Sequence, residues 1–346
     1  INLFASQKES THVFLPRIND QIEALHELIS TLAADYELKG LGFIWKNWNH
    51  HVTTHASSHQ SVIRENGLLI GTRNNLQNRK LAANFLQQDK EVVAITHGEV
   101  ANSVMDEPPF GYSERTMCST LIDYGSADDN GCFNRPWIQP ANTLFRSGGL
   151  TSKIYKPSNT IRLPSRSQSR ILYIPTTYHG NDLYGPFHAY EDSLYREWQA
   201  WLFKTVPELV YKVHPKSHSA PLEGATIECE ALDVCIPKYD VLVFDYFATG
   251  AMLALVSDKP VIYLDIGLRN LRQDFLGALK QRCEYIKIDI SELGSLDLTR
   301  LVGQLWATRT ERSNESISSY VFASSEKISW KDVFSAVNAG KSPRTM

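Results

Sequence analysis

Several features that would declare a class outright are scarce or missing from this sequence. There are only five cysteines in 346 residues, Cys118, Cys132, Cys229, Cys235 and Cys283, and no Cys-x-x-Cys pair. An odd count without that spacing argues against a disulfide framework or a structural zinc site and fits reduced thiols in a cytosolic compartment. No apolar run reaches the length of a membrane span. Positive charge is not in excess. The formal net charge of -3 argues against nucleic acid as the main partner, yet leaves room for a local basic patch facing a phosphorylated substrate. The Gly-x-Gly-x-x-Gly fingerprint and the Walker motif are absent, as is the Gly-x-Ser-x-Gly elbow of serine hydrolases. No signal-peptide pattern opens the chain. Its first residues already read as a strand, His12-Val13-Phe14-Leu15, as in an excised domain, so a missing anchor weighs little.

What is present is a globular composition, 42 % hydrophobic and 21 % charged, in a chain long enough for two domains. In the first half, apolar spacing predicts helices over Asn19 to Glu37 and over Asn75 to Gln88, the latter with Leu76, Leu81 and Phe85 on one side. Strands are expected at Leu41 to Trp45, at the end of Ser61 to Ile70, at Glu91 to Thr96 and at Ser119 to Asp123, before a polar loop from Gly125 to Gly131. From Arg146 to Arg170 the composition turns to Ser, Pro, Gly and Arg, as in an interdomain linker. In the second half, strands are expected at Ile171 to Ile174, Leu209 to Val213, Val241 to Phe244 and Val261 to Leu264. Helices are expected over Tyr190 to Phe203, with Tyr190, Leu194, Trp198, Trp201 and Leu202 on one face, and over Thr249 to Val256. From Ser291 onward the chain reads helical and ends in a polar tail. Strand and helix in alternation predict an α/β fold with parallel sheets. The expected division is residues 1–150 as an N-terminal Rossmann-like domain, 151–170 as a linker and 171–346 as a C-terminal Rossmann-like domain, whose last helix packs back on the first.

In such a sheet, ligands bind beyond the carboxyl ends of the strands, so the polar residues that follow each apolar run are the candidates. His214-Pro215 stops one strand. The proline withholds a ladder N–H and fixes the exit, which holds an imidazole where it can donate to a phosphate or protonate a leaving group. Lys216 and His218 add charge nearby; a plain surface turn is the alternative. Asp245-Tyr246-Phe247-Ala248-Thr249-Gly250 joins another strand to a helix start, with a hydroxyl at Thr249 and a glycine that lets a phosphate approach. Thr249 reads equally as an N-cap. Tyr178-His179-Gly180-Asn181-Asp182 is a polar loop whose carboxylate could act as nucleophile or base, although Asn-Asp beside glycine is also ordinary turn chemistry. His97-Gly98-Glu99 ends a first-half strand. Glu107, pinned by Pro108 and Pro109, is either a positioned acid–base group or part of a rigid loop. His50, His51 and His55 match no common metal spacing.

Together these pieces resemble bacterial GT-B glycosyltransferases that build surface polysaccharides. The matching residues are His97-Gly98, Leu172-Tyr173-Ile174-Pro175-Thr176, Lys212-Val213-His214-Pro215, Tyr239 to Tyr246, and Lys259-Pro260-Val261-Ile262. Teichoic-acid glycerophosphotransferases share the order. The retaining β-Kdo transferases, which move Kdo from CMP-Kdo to O-antigen or capsule chains, are the closer likeness.

That resemblance implies a carboxylate nucleophile in the loop after the first strand of the second half, a His-Pro histidine at the donor phosphate, and a first-half glutamate as acid or base. These fall on Asn181 or Asp182, on His214 and on Glu107. It further implies donor contacts from Thr176, Lys216, Tyr246, Thr249 and Gly250, and substrate contacts from His97, Gly98, Glu99, Tyr178 and His179. Asn181, not Asp182, stands at the nucleophile position, and an amide is a poor nucleophile. Either Asp182 acts instead, or the chain carries an inactivating Asp-to-Asn change; the second reading is preferred. Two displacements would give retention. With no Asp-x-Asp at a strand end and no diphosphate on CMP, the expectation is no metal and no cofactor beyond the donor CMP-Kdo. The expected partners are that nucleotide sugar and a glycan or lipid-linked polysaccharide acceptor. The expected place is the cytoplasm, at the inner membrane's inner face or within a multidomain synthase. The competing expectations are a CDP-glycerol-type glycerophosphotransferase and a non-catalytic nucleotide- or glycan-binding module.

Overall fold

The computed structural model describes residues 65–71, 75–96, 103–104, 116–125, 143–147, 155–176, 192–214, 222–293, 297–307 and 311–322, and isolated positions at 27, 28, 30, 31, 114 and 151. The expected strand at Leu41 to Trp45 and the histidines at 50, 51 and 55 lie outside these residues.

Among the described residues there are two wholly parallel sheets. The first has four strands in sequence order: β1 (Gly67–Ile70), β2 (Glu91–Ile95), β3 (Thr120–Tyr124) and β4 (Thr143–Ser147). Helix α1 (Leu76–Gln87) links β1 to β2. It begins where the Asn75 side chain accepts the Asn78 N–H at 2.8 Å, which satisfies one of the free donors of the first turn. Ala82 and Phe85 pack on Ile70, Val92, Ala94 and Leu121. Leu81, expected on that face, is 43 % exposed instead. It adjoins Ala82 in sequence, so the 100° step of a helix turns it away from the buried line. Arg146 and Ser147, which composition placed in the linker, close β4.

The second sheet has six strands: β5 (Ile171–Ile174), β6 (Leu209–Lys212), β7 (Thr226–Glu228), β8 (Val241–Phe244), β9 (Val261–Asp265) and β10 (Glu284–Lys287). Their spatial order is β7-β6-β5-β8-β9-β10. Counted from β5 this is 3-2-1-4-5-6, the order of dinucleotide-binding sheets, with the switch point between β5 and β8. The near-continuous apolar runs follow from burial on both faces. Leu172, Ile174, Leu242, Phe244, Val261 and Tyr263 face one core. Ile171, Tyr173, Tyr211, Val241, Val243, Ile262 and Leu264 face the other.

Helix α2 (Asp192–Thr205) covers the second of these cores; its buried line is Tyr195, Trp198, Gln199 and Leu202. Leu194 and Trp201, expected to lead that face, are only partly buried at its margin. The short α3 (Leu232–Cys235), α4 (Thr249–Leu255) and α5 (Gln273–Arg282) lie on the opposite face, while α6 (Leu298–Ala307) joins α2. The helix α7 (Ser318–Val321) adds Tyr320 and Val321 to the first core.

Residues 155–170 are tied to the second sheet's unit. Ile161 and Arg312 exchange backbone bonds at 2.9 and 2.8 Å, and Arg166 grips Glu208 and the Thr205 carbonyl. Among the described residues, contacts at Val104 and at Gly125 join the two sheets' units. Val104 forms an antiparallel bridge with Leu271 and is fully buried in the core of the second. Gly125, at φ +74°, lies so close under α7 that a Cβ would stand 2.6 Å from the Tyr320 carbonyl oxygen. Among the described residues, no helix is long and apolar enough to cross a membrane.

Candidate functional site

The switch point fixes where a ligand belongs. The register pairs Tyr173 with Tyr211 and Ile174 with Phe244. Pairing stops there, and Thr176, His214 and Tyr246 each follow by two residues the end of one of three adjacent strands, β5, β6 and β8, at the carboxyl edge. His214 is half-buried and follows Val213, whose N–H still bonds the Glu228 carbonyl at 3.0 Å. Lys212, just before it, is buried and turns its ammonium to the Val213 carbonyl at 2.8 Å.

Thr176 is nearly buried, and its backbone N–H donates to the Tyr195 hydroxyl at 3.2 Å. Tyr246 is also buried, with the Arg269 guanidinium 4.9 Å from its ring centre. Arg269 in turn donates to the Phe247 carbonyl at 3.0 Å. The loop after β9 therefore clamps the loop after β8.

Thr249 is exposed at the first residue of α4; the N-cap position belongs to Ala248, which makes no side-chain cap bond. The N-cap reading of Thr249 is thus replaced by a hydroxyl open to solvent on the first turn. Gly250 has a packing reason of its own, since a Cβ there would meet Leu232 Cδ2 at 2.9 Å.

Asp245 is turned away from the edge. It is fully buried and accepts from the Tyr173 hydroxyl, from the Tyr195 hydroxyl at 3.1 Å and from Trp198 Nε1 at 3.0 Å. Loss of water pushes its carboxyl up to about 6, and the bonds from Tyr173, Trp198 and Tyr195 pull the other way. Expected as one of the groups offered to a ligand, Asp245 is instead the hub that ties α2 to β5 and β8. Through Tyr195 it also holds the Thr176 N–H. The signal for this hub lay in the chain: Tyr195 and Trp198 are three apart on one helix face, and both need acceptors when buried.

Of the remaining expected residues, His97, Gly98, Glu99, Glu107, Tyr178, His179, Asn181, Asp182 and Lys216 lie outside the described ones. Among the described residues no cluster of three or more His, Cys, Asp or Glu side chains could hold a metal ion. Among the described residues Cys229, Cys235 and Cys283 form no disulfide. Burial pushes the Cys283 thiol up to about 12, which leaves it inert as a nucleophile.

The chain matches no known protein-family model. No curated protein matches its sequence.

Proposed function

We propose that the chain is a retaining glycosyltransferase of the GT-B type that moves Kdo from CMP-Kdo to a surface-polysaccharide acceptor. The observation that carries the reading is that Thr176 and His214 follow the ends of the adjacent strands β5 and β6 on the carboxyl edge, beside the switch point of a 3-2-1-4-5-6 sheet. Sheets of this order bind nucleotides there. An imidazole at that place suits a leaving phosphate, and the Thr249 hydroxyl on the next helix start suits a ribose or phosphate oxygen.

In this reading a carboxylate at position 181 or 182 attacks the anomeric carbon. The bond from that carbon to the phosphate oxygen breaks, and CMP departs with the electron pair, assisted by His214. The acceptor hydroxyl then displaces the carboxylate, giving up its proton to Glu107. Two inversions yield retention.

The test is CMP release and glycan extension with CMP-Kdo, comparing the chain with Asn181→Asp. Turnover that rises in the variant supports a carboxylate at position 181. Binding of CMP without turnover in either form favours the non-catalytic module, the reading to which the amide of Asn181 lends weight. Stabilisation by CDP-glycerol and not by CMP would transfer the chain to the glycerophosphotransferases.

A further inference from the structure

Two buried polar atoms at the junction of the two sheets' units have no hydrogen-bond partner among the described residues: the Ser103 hydroxyl and Arg272 Nη1. Their residues are 1 % and 3 % exposed. Ser103 follows β2 in the chain. Arg272 ends the loop beyond β9, at the carboxyl end of the second sheet, and is the N-cap residue of the ten-residue α5. The Val104–Leu271 bridge brings them together, and the Arg272 N–H donates to the Ser103 carbonyl at 3.0 Å. Residues opposed in this way send their side chains to the same side, with Cβ atoms about 4.5–5.5 Å apart. Val104 and Leu271, on the alternate side, fill the core.

The rest of the guanidinium is committed. Nε and Nη2 donate to the two oxygens of Asp274 at 3.0 and 2.5 Å. Arginine has donors only, and a serine hydroxyl can always donate. The first turn of α5 adds free N–H groups and the positive end of its dipole. A cation is therefore the wrong guest, and an acceptor oxygen with negative charge is the right one. The Asp274 carboxylate offsets part of the charge, which suits a weak subsite for one acid group of a larger ligand.

We propose that Ser103 and Arg272 together bind an oxyanion of the substrate, either a phosphate or a carboxylate oxygen, across the junction of the two units. Only the identity of the larger ligand rests on the function proposed above, in which the donor carries one group of each kind.

The test is calorimetric titration of the chain, Ser103→Ala and Arg272→Lys with CMP, with free Kdo and with inorganic phosphate. Lysine keeps a cation beside Asp274, and alanine removes one oxygen, so both variants should fold. Thermal midpoints read with and without ligand within each form cancel any loss of intrinsic stability. The expected result is that both variants weaken the same ligand, about tenfold or more for Arg272→Lys, and spare the other. CMP as the affected ligand marks a phosphate site, and Kdo marks a carboxylate site. Binding of CMP or Kdo that neither variant changes overturns the proposal and leaves a buried water as the occupant. If neither CMP nor Kdo binds any form, the functional reading fails and phosphate decides the subsite. Weak phosphate binding lost in both variants supports it, and phosphate binding that is absent, or equal in all three forms, overturns it.

Discussion

Trp198 Nε1 and Asp245 Oδ2 stand 3.0 Å apart in a hydrogen bond that links the middle of α2 to the residue just after β8. The acceptor is a fully buried carboxylate at the switch point of the sheet. Tyr173 and Tyr195, which also donate to it, are fully buried too.

Asp245→Ala leaves these donors unmatched inside the core and should cost about 3 kcal/mol or more in chemical denaturation. Asp245→Asn keeps an acceptor and adds a donor that a tyrosine oxygen can accept, so it should cost much less. A large loss for Asn and a small one for Ala would contradict the hub.

The same carboxyl sets a pH dependence. Its folded value, about 6, lies above the ordinary 3.8, so the native state binds the proton more tightly than the unfolded chain. The stability this gives is complete below about pH 4 and is lost as pH rises to about 6, a change of about 3 kcal/mol. The amide introduced by Asp245→Asn does not titrate. The stability of the unmodified chain minus that of this variant should therefore fall between these values and then level off. A flat difference would show that the carboxyl titrates normally.

Glycines 125 and 250 should behave differently when changed to alanine. At Gly125 the new Cβ meets backbone, the Tyr320 carbonyl, at a positive φ, and the expected loss is about 2 kcal/mol or more. At Gly250 it meets the far end of the Leu232 side chain, which can rotate. Helix propensity returns up to about 1 kcal/mol there, so the melting temperature should hardly move. CMP affinity that nonetheless drops in Gly250→Ala would mark a phosphate approaching that backbone.

In the Asn181→Asp background, His214→Gln should lower kcat for Kdo transfer by about a hundredfold or more if the imidazole assists the leaving phosphate, with little change in thermal stability. EDTA should leave the rate of the Asn181→Asp form intact. Loss of activity on chelation, restored by Mg²⁺, would argue for a metal-assisted departure.

Much of the second sheet was legible because its strands are short apolar runs with abrupt polar stops. Ile171–Ile174 and Val241–Phe244 fall on the expected residues. The missed strands lacked that contrast. Edge strand β7 is three residues long, with Ile227 48 % exposed, and β10 sets Tyr285 and Ile286 between Glu284 and Lys287. Helix α5 was hidden because its buried line is only Phe275, Leu279 and Arg282. No periodicity scale counts an arginine as core, yet Arg282 is fully buried and donates to the carbonyls of Ala254, Leu255, Ser257 and Lys259. At the site, strand ends pointed to His214, Thr176 and Thr249. They could not say which way Asp245 would turn, because its donors come from elements distant in sequence. Ser103 and Arg272 carried no local signal either; their pairing exists only once two remote loops meet.

Arg282→Met should therefore be among the costlier core substitutions, about 3 kcal/mol or more, although methionine is the more apolar residue. The four carbonyls it abandons lie at the end of α4 and the turn into β9, and hydrogen exchange should rise first along that turn.

Val104 limits how far the chain can be treated as modular. It belongs by sequence to the first sheet's unit, yet it lies inside the core of the second. Recombining halves from two different chains would join a hydrophobic peg to a socket shaped for another residue. A chimera that respects the apparent boundary near residue 150 should need its peg replaced along with the half that receives it.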